Sequence, residues 1–262
     1  MKQKIIWFVY ALFFMFGLFM KNFATTETFH ALGQTLDFSS ATLLYFLQFA
    51  FYVVLTAAVL VLRRAKSFAP KKVPAVLGVR AVIVPSVLFL VAVYCLQLGV
   101  LPFLSFQALA YNSFLGIALL GGTLVVFAPV MEELFFREIM LDHVIMERGM
   151  TRTGGIILGS VLFFLPHIFN GNFSWTILFL GVFVSLLFVY TRRILVAMIL
   201  HGCINLTGML FLSGFFPSPG NVTGSILLLS ALPLLVASFI ILIKTARKAA
   251  RAPQAGILMT DD

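Results

Sequence analysis

The sequence predicts an all-α, polytopic membrane protein of about eight transmembrane helices. Three observations lead there. The 262-residue chain is 61% hydrophobic, only 10% charged, and has a mean hydropathy of +1.10. Its apolar runs approach the roughly 20 residues that a helix needs to cross hydrocarbon. They are continuously apolar rather than alternating with a period of two, which argues against membrane β-strands.

The first run, about residues 5–20, follows Lys2 and Lys4 as a secretory signal would. No small-residue cleavage site follows at Lys21-Asn22-Phe23, so it reads as a retained helix. A second run, about 41–62, leads into the basic stretch from Arg63 to Arg80, which Pro70 and Pro74 interrupt. That stretch is the longest expected cytoplasmic connection. It divides an accessory part, residues 1–80, from a core, residues 81–243, with a basic tail over 244–262 that should fray. The core opens with a run at about 81–101, and the next, about 113–138, contains Glu132, Glu133 and Arg137. Two shorter runs follow at about 155–169 and 175–190, expected to stand with little tilt or to be flanked by backbone lining a cavity. The first of them carries His167, and its Gly155 and Gly159 form a small-residue face for close approach to a neighbouring helix. His201 and Asn205 lie on the run at about 194–212, and a last run covers about 222–243.

Cations set the expected orientation. Lys2 and Lys4, the cluster from Arg63 to Arg80, Arg148 with Arg152, Arg192 with Arg193, and Lys244 to Arg251 all fall on one side of an eight-helix arrangement. Only Lys21 falls opposite, while Arg137 belongs to the fourth helix itself. The positive-inside rule then puts both termini in the cytoplasm, at the cell membrane if the source is bacterial. The formal net charge of +9 needs no nucleic-acid partner, because basic cytoplasmic loops are drawn to anionic lipid headgroups. Cys95 and Cys203 both fall within spans and predict no disulfide, and no CxxC or Cys/His cluster marks a structural zinc site.

Ionisable residues inside a membrane are expensive, so they are functional candidates. Helix rise places His201 about 12 Å beyond Arg193, Asn205 about 18 Å beyond it, His167 about 22 Å beyond Arg152, and Glu133 about 14 Å from Asp142. Those depths permit one shared site. Glu133 and Arg137 stand four apart on one helix face with the acid first, the favourable order for an ion pair. Glu132 points about 100° away. This assigns Glu132 to chemistry and Glu133 to positioning. Pro129 and Pro166 each deny their helix a backbone hydrogen bond and free a carbonyl near the polar groups. Taken singly, His167 reads equally well as an interhelical hydrogen-bonding residue, and Asn205 reads more readily as packing glue than as a catalytic group. His30, in an external loop, and His143, near the cytoplasmic end of the fourth helix, read as structural.

Glu132-Glu133-Leu134-Phe135-Phe136-Arg137 resembles the E-E-x-x-x-R motif of the CAAX-protease and bacteriocin-processing family of intramembrane proteases. Phe163 to His167 resembles its F-x-x-x-H motif, and His201 to Asn205 its H-x-x-x-N motif. The three stand in order on core helices, and the resemblance covers about residues 113–212. It departs from the family at Glu138, where glycine is usual, and at Pro166, directly before the histidine. What the resemblance implies is hydrolysis of a peptide or membrane-protein substrate. Glu132, aided by His167, would activate a water, and His201 and Asn205 would stabilise the oxyanion, with Glu133 and Arg137 supporting and no cofactor.

Alternatives stay open. Glu132, His167 and His201 also make a known type of zinc ligand set. A non-catalytic protein of the same fold, serving bacteriocin immunity or as a regulatory scaffold, would keep the helices without the chemistry. A proton-coupled transporter would use Glu132 and the histidines as a relay, although such proteins often show inverted repeats, and none is visible. No H-E-x-x-H, G-x-S-x-G or mid-span aspartate pair points to other protease chemistries.

Overall fold

A computed structural model describes residues 2–23, 39–65, 73–100, 114–169, 174–212 and 219–251, with isolated positions 31, 32, 34, 35, 68 and 102 between them. His30, Lys66, Pro70, Lys71, Lys72 and the tail beyond Arg251 lie outside the described residues. Eight helical rods and no strand occur among the described residues. They are α1 (Lys2–Phe23), α2 (Ser40–Arg64), α3 (Val79–Val100), α4 (Phe114–Ile145), α5 (Arg152–Phe169), α6 (Trp175–Thr191), α7 (Ile194–Leu212) and α8 (Asn221–Arg251).

Six of these, α2 to α5 with α7 and α8, are long and apolar enough to cross a membrane. The protein is an integral, multi-pass membrane protein. Large apolar side chains along the rods, among them Val54, Phe114, Val222 and Leu229, stay exposed on the bundle surface, where lipid rather than water is their solvent. Two rods outrun the apolar stretches expected for them. α4 continues to Ile145 because every residue from Met131 to Ile145 is buried, so the polar Asp142 and His143 are enclosed in the bundle. α8 continues to Arg251, so the expected tail begins as two helical turns whose Ala246 is buried against the bundle.

Local signals punctuate the rods. Ser39 caps α2 by accepting from the Thr42 amide at 3.2 Å, and Ser174 caps α6 by accepting from the Thr176 amide at 3.3 Å. Gly149, at φ 76°, takes the left-handed turn between α4 and α5 that glycine adopts without steric cost. Arg192 ends α6 at φ 53°. Its guanidinium pairs with both oxygens of Asp142 and lies over the Phe188 ring at 4.9 Å, which ties α6 to the end of α4. The Val76 and Leu77 amides both donate to the Tyr190 carbonyl, at 2.8 and 2.9 Å, and so seat the entry to α3.

Small residues set the close approaches. The glycine face of α5 meets α4: a Cβ added at Gly155 would lie 2.6 Å from the Met146 sulfur, and one at Gly159 would lie 3.5 Å from Leu141. The two N-terminal helices, expected as an accessory pair, lie directly against the motif helices. Phe13 of α1 packs edge-on against Phe136 of α4, with ring centroids 5.9 Å apart. α3 and α8 pack mainly on one another, with Gly99 facing Gly224.

Candidate active site

α4 changes its winding on both sides of the two glutamates. Gly122–Phe127 and Leu134–Ile145 are π-helical, and the α-helical turn Ala128–Glu133 lies between them. Wider π turns recur at functional sites, where they redirect side chains. Pro129 has a specific effect here. In the register by which Ala128 donates to Thr123, the next donor would be residue 129, which as proline has no N–H to offer the Leu124 carbonyl. Asn205 fills that place, its Nδ2 donating to the Leu124 carbonyl at 2.8 Å. At Gly202, one turn back on α7, an added Cβ would sit 2.7 Å from the Val125 carbonyl, so only glycine lets α7 come this close.

Pro166 works in the same way on α5. It leaves the Leu162 carbonyl without its helical donor, and the Tyr10 hydroxyl of α1 donates to it at 3.0 Å. His167 Nδ1 lies 2.9 Å from the Phe163 carbonyl. A carbonyl can only accept, so Nδ1 carries the proton, and Nε2 of the neutral ring presents a lone pair.

Three helices bring their polar side chains to Glu132. Its Oε1 accepts a hydrogen bond from the Tyr52 hydroxyl of α2 at 3.0 Å. Among the described residues its Oε2 has no hydrogen-bond partner, and it is faced by His167 Nε2 at 4.0 Å and His201 Nε2 at 3.9 Å. Glu132 is 2% exposed, so this oxygen is enclosed by protein. His201 Nδ1 is 2.8 Å from Glu133 Oε1, and the same oxygen lies 3.1 Å from Arg137 Nη1. Glu133 therefore joins a same-helix ion pair to the histidine of α7. Arg137 also donates to the Gly181 carbonyl at 3.3 Å and lies over the Phe163 ring at 4.3 Å.

Charge placement gives the cluster its chemistry. Glu133 accepts from His201 Nδ1, so neutral His201 also turns a lone pair toward Glu132. Two imidazole nitrogens, His167 Nε2 and His201 Nε2, then face Glu132 Oε2. A water donates two protons and bridges polar groups about 4 Å apart, which a direct hydrogen bond does not. Ligand atoms held about 2.0 to 2.1 Å from a tetrahedral zinc stand about 3.3 Å from each other. The present separations of 3.9 and 4.0 Å are wider than that shell, and no His/Cys/Asp/Glu group among the described residues has a metal-holding arrangement.

Part of the sequence matches a known family model. Residues 113–207 match the family model described as type II CAAX prenyl endopeptidase, Rce1-like. They make up about a third of the chain. No curated protein and no solved structure matches the chain. The matched residues take in Glu132, Glu133, Arg137, His167, His201 and Asn205 and leave out α1, α2, α3 and α8. The structure brings His167 and His201 to Glu132 and seats Asn205 about one helical turn along α7, on the Leu124 carbonyl.

Tyr52, Tyr10 and Arg63 are the site partners that sequence reasoning missed. Arg63 Nε pairs with Glu138 at 2.9 Å, so the carboxylate that departs from the motif is matched by a cation from α2. Tyr10 likewise compensates Pro166, the other departure. One signal for α2 was present in the sequence: Tyr52, Thr56 and Arg63 are spaced by four and seven residues, one stripe of a helix.

Proposed function

We propose that the chain is an intramembrane endopeptidase in which Glu132 is the general base. One observation carries this reading: the enclosed Oε2 of Glu132, without a hydrogen-bond partner among the described residues and opposite two imidazole nitrogens, a seat for a water. Glu132 takes a proton from that water while His167 Nε2 holds its other proton and aims the oxygen at the scissile carbonyl. The proton taken up by Glu132 then passes to the leaving amine. That passage runs through His201 Nε2, which as an imidazolium stabilised by Glu133 against Nδ1 hydrogen-bonds the oxyanion before giving the same proton to the amine. The second amide hydrogen of Asn205 is the other donor. Glu133 and Arg137 position these groups. The substrate is a peptide segment presented within or beside the bilayer, and surrounding lipids are the protein's other partners.

The reading is metal-free, which the wide spacing of the two imidazole nitrogens from Glu132 Oε2 supports. To test it, membranes carrying the wild-type protein are compared with membranes carrying Glu132→Ala, before and after exhaustive chelation, by mapping newly formed peptide termini with mass spectrometry. The expected result is a set of termini that depends on Glu132 and survives chelation. Termini abolished by a chelator and restored by zinc would make Glu132, His167 and His201 metal ligands. An identical set in both membranes would favour the non-catalytic alternative.

Orientation belongs to the same proposal. Both termini are assigned to the cytoplasm, with the basic ends of α2 and α8 at the inner headgroups, supported by the one-sided cations. Reporter fusions at Asp262 should be active only in their cytoplasmic form, and an exported C-terminus would overturn the assignment.

A further inference from the structure

We infer that Tyr52, on a helix outside the matched core, is a positioning residue for Glu132; the inference rests on the reading of Glu132 as the base. A carboxylate has two oxygens and free torsions, so a base held at only one end is aimed poorly. The Tyr52 hydroxyl occupies Oε1 at 3.0 Å, and this leaves Oε2 as the oxygen that faces His167 and His201. The phenol itself is held by ring contacts, with Phe13 at 6.2 Å and Phe51 at 5.8 Å between centroids, both edge-on. Two more contacts from the same stripe fix α2 against α4. Thr56 Oγ1 donates to the Phe127 carbonyl at 3.4 Å, and Arg63 pairs with Glu138. These contacts flank the glutamates on both sides. α2 thus sets the register of α4, and Tyr52 is the one member of the stripe that touches the base.

The test compares Tyr52→Phe with Thr56→Val in the full chain reconstituted in lipid vesicles. Phenylalanine keeps the ring contacts and removes only the hydroxyl. A hydrogen bond to a charged group is among the stronger kind, so Tyr52→Phe should lower kcat about tenfold with KM within about twofold. Thr56→Val should leave kcat within about twofold. An infrared readout needs no turnover: the carboxylate stretch of Glu132 is the band that Glu132→Gln removes, and Tyr52→Phe should shift it. An unshifted band, unchanged kcat, or an equal kcat loss in Thr56→Val would overturn the positioning role. A shifted band in a protein whose wild type cleaves no peptide would keep the hydrogen bond and refute the peptidase reading instead.

Discussion

Replacing Glu132 with glutamine should abolish nearly all peptide cleavage while leaving the protein as stable as the wild type or slightly more so. Loss of activity follows from proton accounting, since a neutral amide cannot take the water's proton, and general-base catalysis typically contributes about 10² to 10⁴-fold. Retained stability follows from the acceptors around it. In Glu132→Gln the side-chain carbonyl can still accept from Tyr52, and the new NH₂ supplies donors toward His167 and His201, where the carboxylate offers only another acceptor. An enclosed polar atom left unpaired costs about 1 to 3 kcal/mol, and the amide relieves that cost. Turnover and thermal unfolding in one detergent check both halves. Retained turnover would remove Glu132 from the chemistry, and a large fall in the unfolding midpoint would mean that its charge holds the bundle together.

The neighbouring glutamate should behave in the opposite way. Glu133→Gln strips the ion-pair partner from Arg137, which is 1% exposed and is left with the Gly181 carbonyl, the Phe163 ring and the more distant charge of Glu132. Breaking one side of a buried ion pair typically costs about 3 to 5 kcal/mol, because the remaining charge stays desolvated. A strongly lowered unfolding midpoint is therefore expected. Glu133→Gln with Arg137→Met should regain most of it, since removing both charges removes the desolvation cost along with the attraction. Activity should not return with stability, because His201 then lacks the anion that supports its imidazolium. Equal stability of Glu133→Gln and wild type would refute the pairing, and so would a double variant no better than the single one.

The two adjacent carboxylates thus do separate work, and the helix period alone separates them. Residues 133 and 137 share a face, while residue 132 turns toward His167, and His201 reaches both carboxylates from its two ring nitrogens. Winding was not legible. The π turns that flank the pair lie where α2, α5 and α7 pack on α4, and no side-chain pattern in the sequence marks them.

The prolines show where sequence reasoning stops. Each announces a carbonyl without a donor, because the missing N–H is a property of the residue itself. Which side chain comes to fill it is another matter. Tyr10 reaches Leu162 across 152 positions of chain, and Asn205 reaches Leu124 across 81. An aromatic hydroxyl on a Phe-rich helix looks like lipid-facing bulk until the neighbouring helix is known.

By itself, the sequence determined the quantities that depend on local chemistry. These are the all-helical membrane fold, the number of rods, the seven residues of the three motifs, and the Glu133–Arg137 pair that a single helix turn builds. Tertiary structure alone decided which faces meet. It put Glu133 on His201, Tyr52 on Glu132 and Arg63 on Glu138, pairs separated by 68, 80 and 75 residues. The physical reason is that periodicity tells which residues share a face of one helix, whereas the rotation and register of that helix against another come from the packing of both surfaces.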